Sequence, residues 1–154
     1  MGREVRRVPK DWRHPKNESG IYIPLFDGKD YEEAAADWLG RANKDGLQAV
    51  IDAYRLPPDI NDYMPAWPEA ERTHLMMYEN VSEGTPISPA FETPEELARW
   101  LANTGASAFG QQGASYEGWL RVCNGGYAPS MVVCNGVIQS GVDADLADRG
   151  AGND

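Results

Sequence analysis

The chain has 154 residues, 42% hydrophobic and 25% charged, with a net charge of −10. That length suits one globular domain able to bury a core without staples. Residues 1–16 carry six basic and two acidic side chains, while the remainder carries 8 basic against 22 acidic, and a body so acidic disfavours nucleic acid and anionic membrane as partners while favouring basic surfaces.

The elements follow in chain order. Residues 1–20, with Pro9 and Pro15, read as a basic arm docked on the domain, with a short strand at Glu4–Val8. Val5, Val8 and Trp12 are apolar anchors, so the arm is expected to fold back and bury Trp12, with Arg6, Arg7 or Arg13 paired to body carboxylates. The β-rich run before the Asp27-Gly28 turn pair predicts a strand from about Gly20 to Leu25. Asp30 as N-cap and Glu33 three residues on begin a helix carrying Tyr31, Ala34, Ala35, Trp38 and Leu39 at helical spacing. A second helix fits Gly46–Tyr54, stopped by Pro57-Pro58. Residues 56–68 are an irregular connector pinned by Tyr63, Met64 and Trp67.

Pro68 suits a first helical turn, with Glu69 and Glu71 near its positive end, so a helix is expected over 68–79. In Thr93-Pro94-Glu95-Glu96, N-cap, N1 proline and capping box coincide, and Leu97, Trp100 and Leu101 form the apolar face of the helix that follows. Ser115 caps another helix over Tyr116–Val122, with Tyr116, Trp119 and Leu120 inward. Asn135-Gly136 between Ser130–Cys134 and Val137–Ser140 predicts a type I′ hairpin. Residues 145–154 read as a disordered acidic tail. The fold class expected is α+β: short helices on a small antiparallel sheet that includes the hairpin, in a single domain over 1–144.

Chemical signatures are sparse. Cys123 and Cys134 match no zinc spacing and read as buried thiols, a disulfide between them remaining geometrically open. His74, on the expected helix beside Glu71 and Glu79, is the one candidate base or metal ligand. The Ser82–Pro89 loop offers hydroxyls but no nucleophile elbow. Gly105–Gly113 lacks the lysine and preceding strand of a phosphate loop. Glu32/Glu33 and Glu95/Glu96 sit in first helical turns, where dipole and cap explain them. No cofactor or metal is called for. No membrane-length apolar run and no signal-peptide core accompany the chain, so a cytoplasmic location is expected.

The acids of residues 27–62 are the remaining signal. Carboxylates spaced along helices imitate a phosphate backbone and fit Arg/Lys sites built for nucleic acid. Asp30, Glu32, Glu33, Asp37, Asp59 and Asp62 are the expected partner-binding residues. The segments Arg3–Pro9, Arg72–Glu79, Glu83–Pro89 through Ala102, and Ser140–Ala144 resemble small acidic proteins encoded by bacteriophages and prophages. The resemblance carries no catalytic motif and skips residues 27–60. It implies an origin in a mobile element inside a bacterial cytoplasm. Small, acidic, motif-free proteins of that class are often inhibitors of bacterial defence. The function expected is therefore a non-enzymatic inhibitor of a bacterial defence system, of the anti-CRISPR or anti-restriction kind, acting on the basic surface of a host complex rather than on nucleic acid. Two other readings stand beside it: a small enzyme or nucleotide-handling domain centred on His74, and a virion or replication accessory protein.

Overall fold

The computed structural model describes residues 2–53, 56–79, 84–109, 111–129 and 131–143, and of Met131, Val132, Cys134 and Gln139 the backbone alone. The chain is α+β. Its strands are β1 (Arg3–Val8), β2 (His74–Glu79), β3 (Thr85–Pro86), β4 (Tyr127–Ala128), β5 (Met131–Cys134) and β6 (Val137–Ser140). Its α-helices are α1 (Tyr31–Asp45), α2 (Leu47–Ala53), α3 (Pro94–Asn103) and α4 (Tyr116–Gly125). The sequence reads as one domain, whereas by contacts the chain gathers into two compact units, one of Met1–Ile23 with Pro68–Asp154 and one of Pro24–Trp67.

The first unit is built on a four-stranded antiparallel sheet in the order β3-β2-β1-β4. β1 and β2 pair along their full length, from Arg3 opposite Glu79 to Val8 opposite His74. Residues 3–8, which include the strand expected at Glu4–Val8, are therefore an inner strand of the sheet, with β2 on one side and β4 on the other. The expected helix over 68–79 is corrected. A single 3-10 turn at Glu69–Glu71 leads into β2. The run Leu75-Met76-Met77-Tyr78 is covered on both faces of the sheet, and a short apolar run of that kind carries no period that separates strand from helix.

Side chains alternate across the sheet. Val5, Leu75 and Met77 face α3 and α4, where Leu97, Ala98, Leu101, Trp119, Val122 and Cys123 complete the core with Ala108, Ala128 and Val142. Arg6, Val8, Met76 and Tyr78 lie on the other face, all buried, against the irregular segment that follows β1. The run Gly20–Leu25 forms no strand, only an isolated bridge between Lys16 and Tyr22.

Both helices of this unit start as their caps dictate. Thr93 Oγ1 accepts from Glu96 N at 3.2 Å with Pro94 behind it. Ser115 Oγ accepts from Gly118 N at 3.1 Å and donates to Asp143 Oδ1 at 2.7 Å. Gly126, at φ +89°, closes α4 in the left-handed conformation that favours glycine. Asn135 and Gly136 both have positive φ, 51° and 78°, as a type I′ turn requires. Among the described residues, however, the hairpin is its own two-stranded sheet and does not join the larger one. Ser130, the acidic tail and residues 80–83 lie outside the described residues.

In the second unit, Asp30 holds the N-cap position of α1 as expected, but the side chain that makes a capping bond is that of Asp27. Its carboxylate accepts from Lys29 N at 3.1 Å, opening a 3-10 turn at Gly28–Asp30 that runs into α1. The Asp30 carboxylate makes no cap bond. α1 continues through Gly40 and ends at Gly46, φ +89°. Tyr31, Ala34, Ala35, Trp38 and Ala42 are its half-buried stripe. The connector folds back on the start of the unit: Phe26 N donates to Asp62 O and Met64 N to Phe26 O, each at 2.9 Å. The Tyr63 ring packs against Phe26 and Tyr31 at 5.2 and 5.3 Å.

Candidate functional site

The structure places His74, the candidate base of the alternative reading, on a strand instead of a helix. His74 opens β2 opposite Val8, and its Nδ1 meets Thr73 Oγ1 at 2.8 Å. Glu71 is exposed in the preceding turn. Glu79 is five residues along the strand, about 17 Å away at strand rise, and is paired with Arg3 at 3.2 Å. Ser88, from the polar loop, is buried in structural use: its Oγ accepts from Met77 N at 2.8 Å and donates to Pro89 O at 2.9 Å. Ser82 and Glu83 lie outside the described residues.

A different histidine sits at a concave site. The first unit carries a cleft of about 1010 Å³ lined by Lys10 through His14, Lys16, Tyr22, Met76, Pro86 through Ala90 and Trp100. His14 is only 6% exposed. Its Nε2 lies 2.6 Å from Ile23 O and its Nδ1 3.0 Å from Tyr78 Oη. A carbonyl only accepts, so Nε2 carries the proton and Nδ1 accepts from the Tyr78 hydroxyl. Tyr78 Oη in turn accepts from Trp12 Nε1 at 3.2 Å. The chain Trp12–Tyr78–His14–Ile23 is thus satisfied with a neutral imidazole. Burial, which outweighs the bond to Ile23, and the Arg6 charge nearby both hold the His14 pKa below its ordinary value. Arg6 is stacked over the Tyr78 ring at 4.3 Å and paired with Glu4 at 3.2 Å.

The sequence held a signal for this site: basic and aromatic residues interleave from Lys10 to Tyr22. The proline breaks obscured it, because no period marks a loop whose side chains converge only on a sheet face. The expected docking of the N-terminal residues is observed in altered form. Trp12 is half-buried, Arg7 pairs with Glu69 at 3.5 Å and the buried Arg3 with Glu79. The Arg3 fork also donates to Ser107 O at 2.7 Å and Ser107 Oγ at 3.2 Å.

The six acids singled out from sequence all fall in the second unit, and all are exposed. That unit, residues 24–67, holds nine acidic and four basic side chains. Asp30 and Asp62 flank Tyr63, whose phenol is pushed above its ordinary pKa by burial first and then by those two carboxylates and Tyr31. Asp59 caps the turn before it, accepting from Asn61 N at 2.9 Å. Glu33 and Asp37 form an i, i+4 row on α1, and Asp37 continues to Arg41 at 3.1 Å. Glu32 points about 100° away from Glu33 around the helix. The structure therefore joins Asp30, Asp59 and Asp62 around one turn, aligns Glu33 with Asp37, and leaves Glu32 to one side.

Cys123 is free and buried, its thiol pushed up to about 12 by burial and then by Glu95. The Cys134 side chain lies outside the described residues. Among the described residues, no three His, Cys, Asp or Glu side chains converge as a metal site, and no helix is long and apolar enough to cross a membrane. Compared with known proteins, the chain matches no family model, no curated protein and no solved structure.

Proposed function

We propose that this chain is a phage-encoded, non-enzymatic inhibitor of a bacterial defence system, working in the host cytoplasm. Its acidic second unit docks on a basic surface that a host complex uses to handle nucleic acid. One observation supports the reading: Asp30, Glu32, Glu33, Asp37, Asp59 and Asp62 are all exposed in one 44-residue unit that also exposes Phe26, Leu39, Leu47 and Ile60. Apolar anchors among carboxylates suit a protein-binding face, the charges supplying steering and the apolar groups the affinity.

The test is capture and inhibition together. The chain is expected to retain a nucleic-acid-cleaving host complex at low salt, to lose it as salt shortens the range of the charges, and to suppress its cleavage activity. Asp30→Lys, Glu33→Lys, Asp37→Lys and Asp62→Lys combined should abolish both effects. Undiminished capture and inhibition by that variant would overturn the proposal.

A further inference from the structure

The cleft of the first unit has a composition unlike the rest of this acidic chain. Its rim carries Lys10, Arg13 and Lys16 against the single carboxylate of Asp11, and all three cations are exposed. Among the described residues neither Lys10 nor Arg13 has an ion-pair partner, while the Lys16 ammonium rests 4.7 Å over the Tyr22 ring. Trp12, Tyr22 and Trp100 line the same cleft. Cations left uncompensated beside π faces, in a molecule of charge −10, concentrate positive potential where an anion with a flat ring would bind.

The floor narrows the ligand further. Trp12 Nε1, both His14 nitrogens and Ser88 Oγ are engaged within the protein, so a ligand takes its polar contacts from the rim and its apolar contacts from the rings. A bare phosphate fills little of about 1010 Å³, whereas organic ligands of nucleotide size occupy clefts on that scale. Asp11 supplies an acceptor of the kind that ribose hydroxyls donate to. An acidic peptide would use the cations but has no need of the rings.

We propose that this cleft binds a nucleoside phosphate, the phosphate held by Lys10, Arg13 and Lys16 and the base stacked on the rings of Trp12, Tyr22 or Trp100. The site shares no residue with the acidic unit, so it stands or falls separately from the inhibitor reading.

The experiment uses the full chain, with tryptophan side-chain NMR signals and intrinsic fluorescence as readouts. AMP and GMP are expected to shift the Trp12 indole signal saturably, with a dissociation constant below about 1 mM. Inorganic phosphate and the uncharged nucleosides should each bind at least about tenfold more weakly. Arg13→Ser with Lys16→Ser, both at exposed positions, should weaken the nucleotide about tenfold or more while leaving the melting temperature unchanged. Several results would overturn the proposal: no saturable shift by either nucleotide, phosphate binding as tightly as nucleotide, or full affinity in the double variant. An acidic peptide competing at the nucleotide's own affinity would also overturn it, as would oligodeoxythymidine binding about a hundredfold tighter, which would assign the cleft to a single strand.

Discussion

At the scale of single residues, the hydroxyl of Tyr78 carries more than its size suggests. It is the acceptor for Trp12 Nε1 and the partner of His14 Nδ1, with the ring buried beneath Arg6. Tyr78→Phe keeps the ring and strands both neighbours, so a loss of about 1–3 kcal/mol is expected in denaturant unfolding. His14 adds a pH dependence whose sign follows from its lowered folded pKa. The unfolded imidazole takes up a proton near pH 6.5 while the folded one resists, so stability is full above that pH and falls as the solution is acidified through it. His14→Asn, which cannot titrate, should flatten that part of the stability profile relative to the parent, read by chemical denaturation at stepped pH. A profile in which the parent and His14→Asn fall equally would show that the buried imidazole is not the group responsible. Arg3 belongs at this scale as well: its planar fork meets Glu79 and Ser107 together, a geometry that lysine does not reproduce.

At the scale of elements, the caps separate local coding from tertiary demand. α3 starts where Thr93, Pro94 and Glu96 say it should, and Thr93→Ala is expected to cost about 1 kcal/mol by thermal or denaturant unfolding. α1 starts at Tyr31, directly behind Asp30, but the capping bond is made one turn earlier, where Gly28 opens a 3-10 turn beneath the returning connector. A Cβ at Gly28 would meet Met64 O, and Pro65 O at 2.7 Å. These are backbone atoms with no rotamer to change, so Gly28→Ala should destabilise the 24–67 unit by about 1–3 kcal/mol, seen as amide shifts and faster hydrogen exchange confined to it. Parent-like exchange in that variant would mean the connector does not close over the turn. Both caps were readable as Asx or Thr residues before helical stripes. Only the return of residues 60–64 over Phe26 decides that Asp27, three residues earlier than Asp30, does the capping.

At the scale of the whole molecule, the order β3-β2-β1-β4 makes the N-terminal strand indispensable to the first unit. Docking through a few surface ion pairs would be worth little. Loss of an inner strand removes a full antiparallel ladder and uncovers Met76, Met77 and Tyr78 together. Deleting residues 1–16 is therefore expected to abolish the cooperative melt of this unit and its dispersed methyl signals, not to lower its midpoint by a few degrees. A truncated chain that still melts cooperatively with dispersed signals would show that β2 folds without β1.

What the sequence determined by itself was whatever is encoded within a few residues: the α+β class, the caps of α3 and α4, the Asn135-Gly136 hairpin and the exposed acids of residues 27–62. Those features depend on local backbone geometry and on charges that stay in water, neither of which needs a distant partner. Tertiary structure alone decided the rest. Residues 74–79 are a strand because β1, some seventy positions earlier, supplies hydrogen-bond partners on one side and α3, α4 and the Trp12–His14 segment cover both faces. The same apolar run would satisfy a helix if nothing paired with it. His74, which stood out beside two glutamates in the chain, opens a strand whose far end carries Glu79, while His14 acquired Tyr78 from the sheet at 3.0 Å and Ile23 O from its own loop at 2.6 Å.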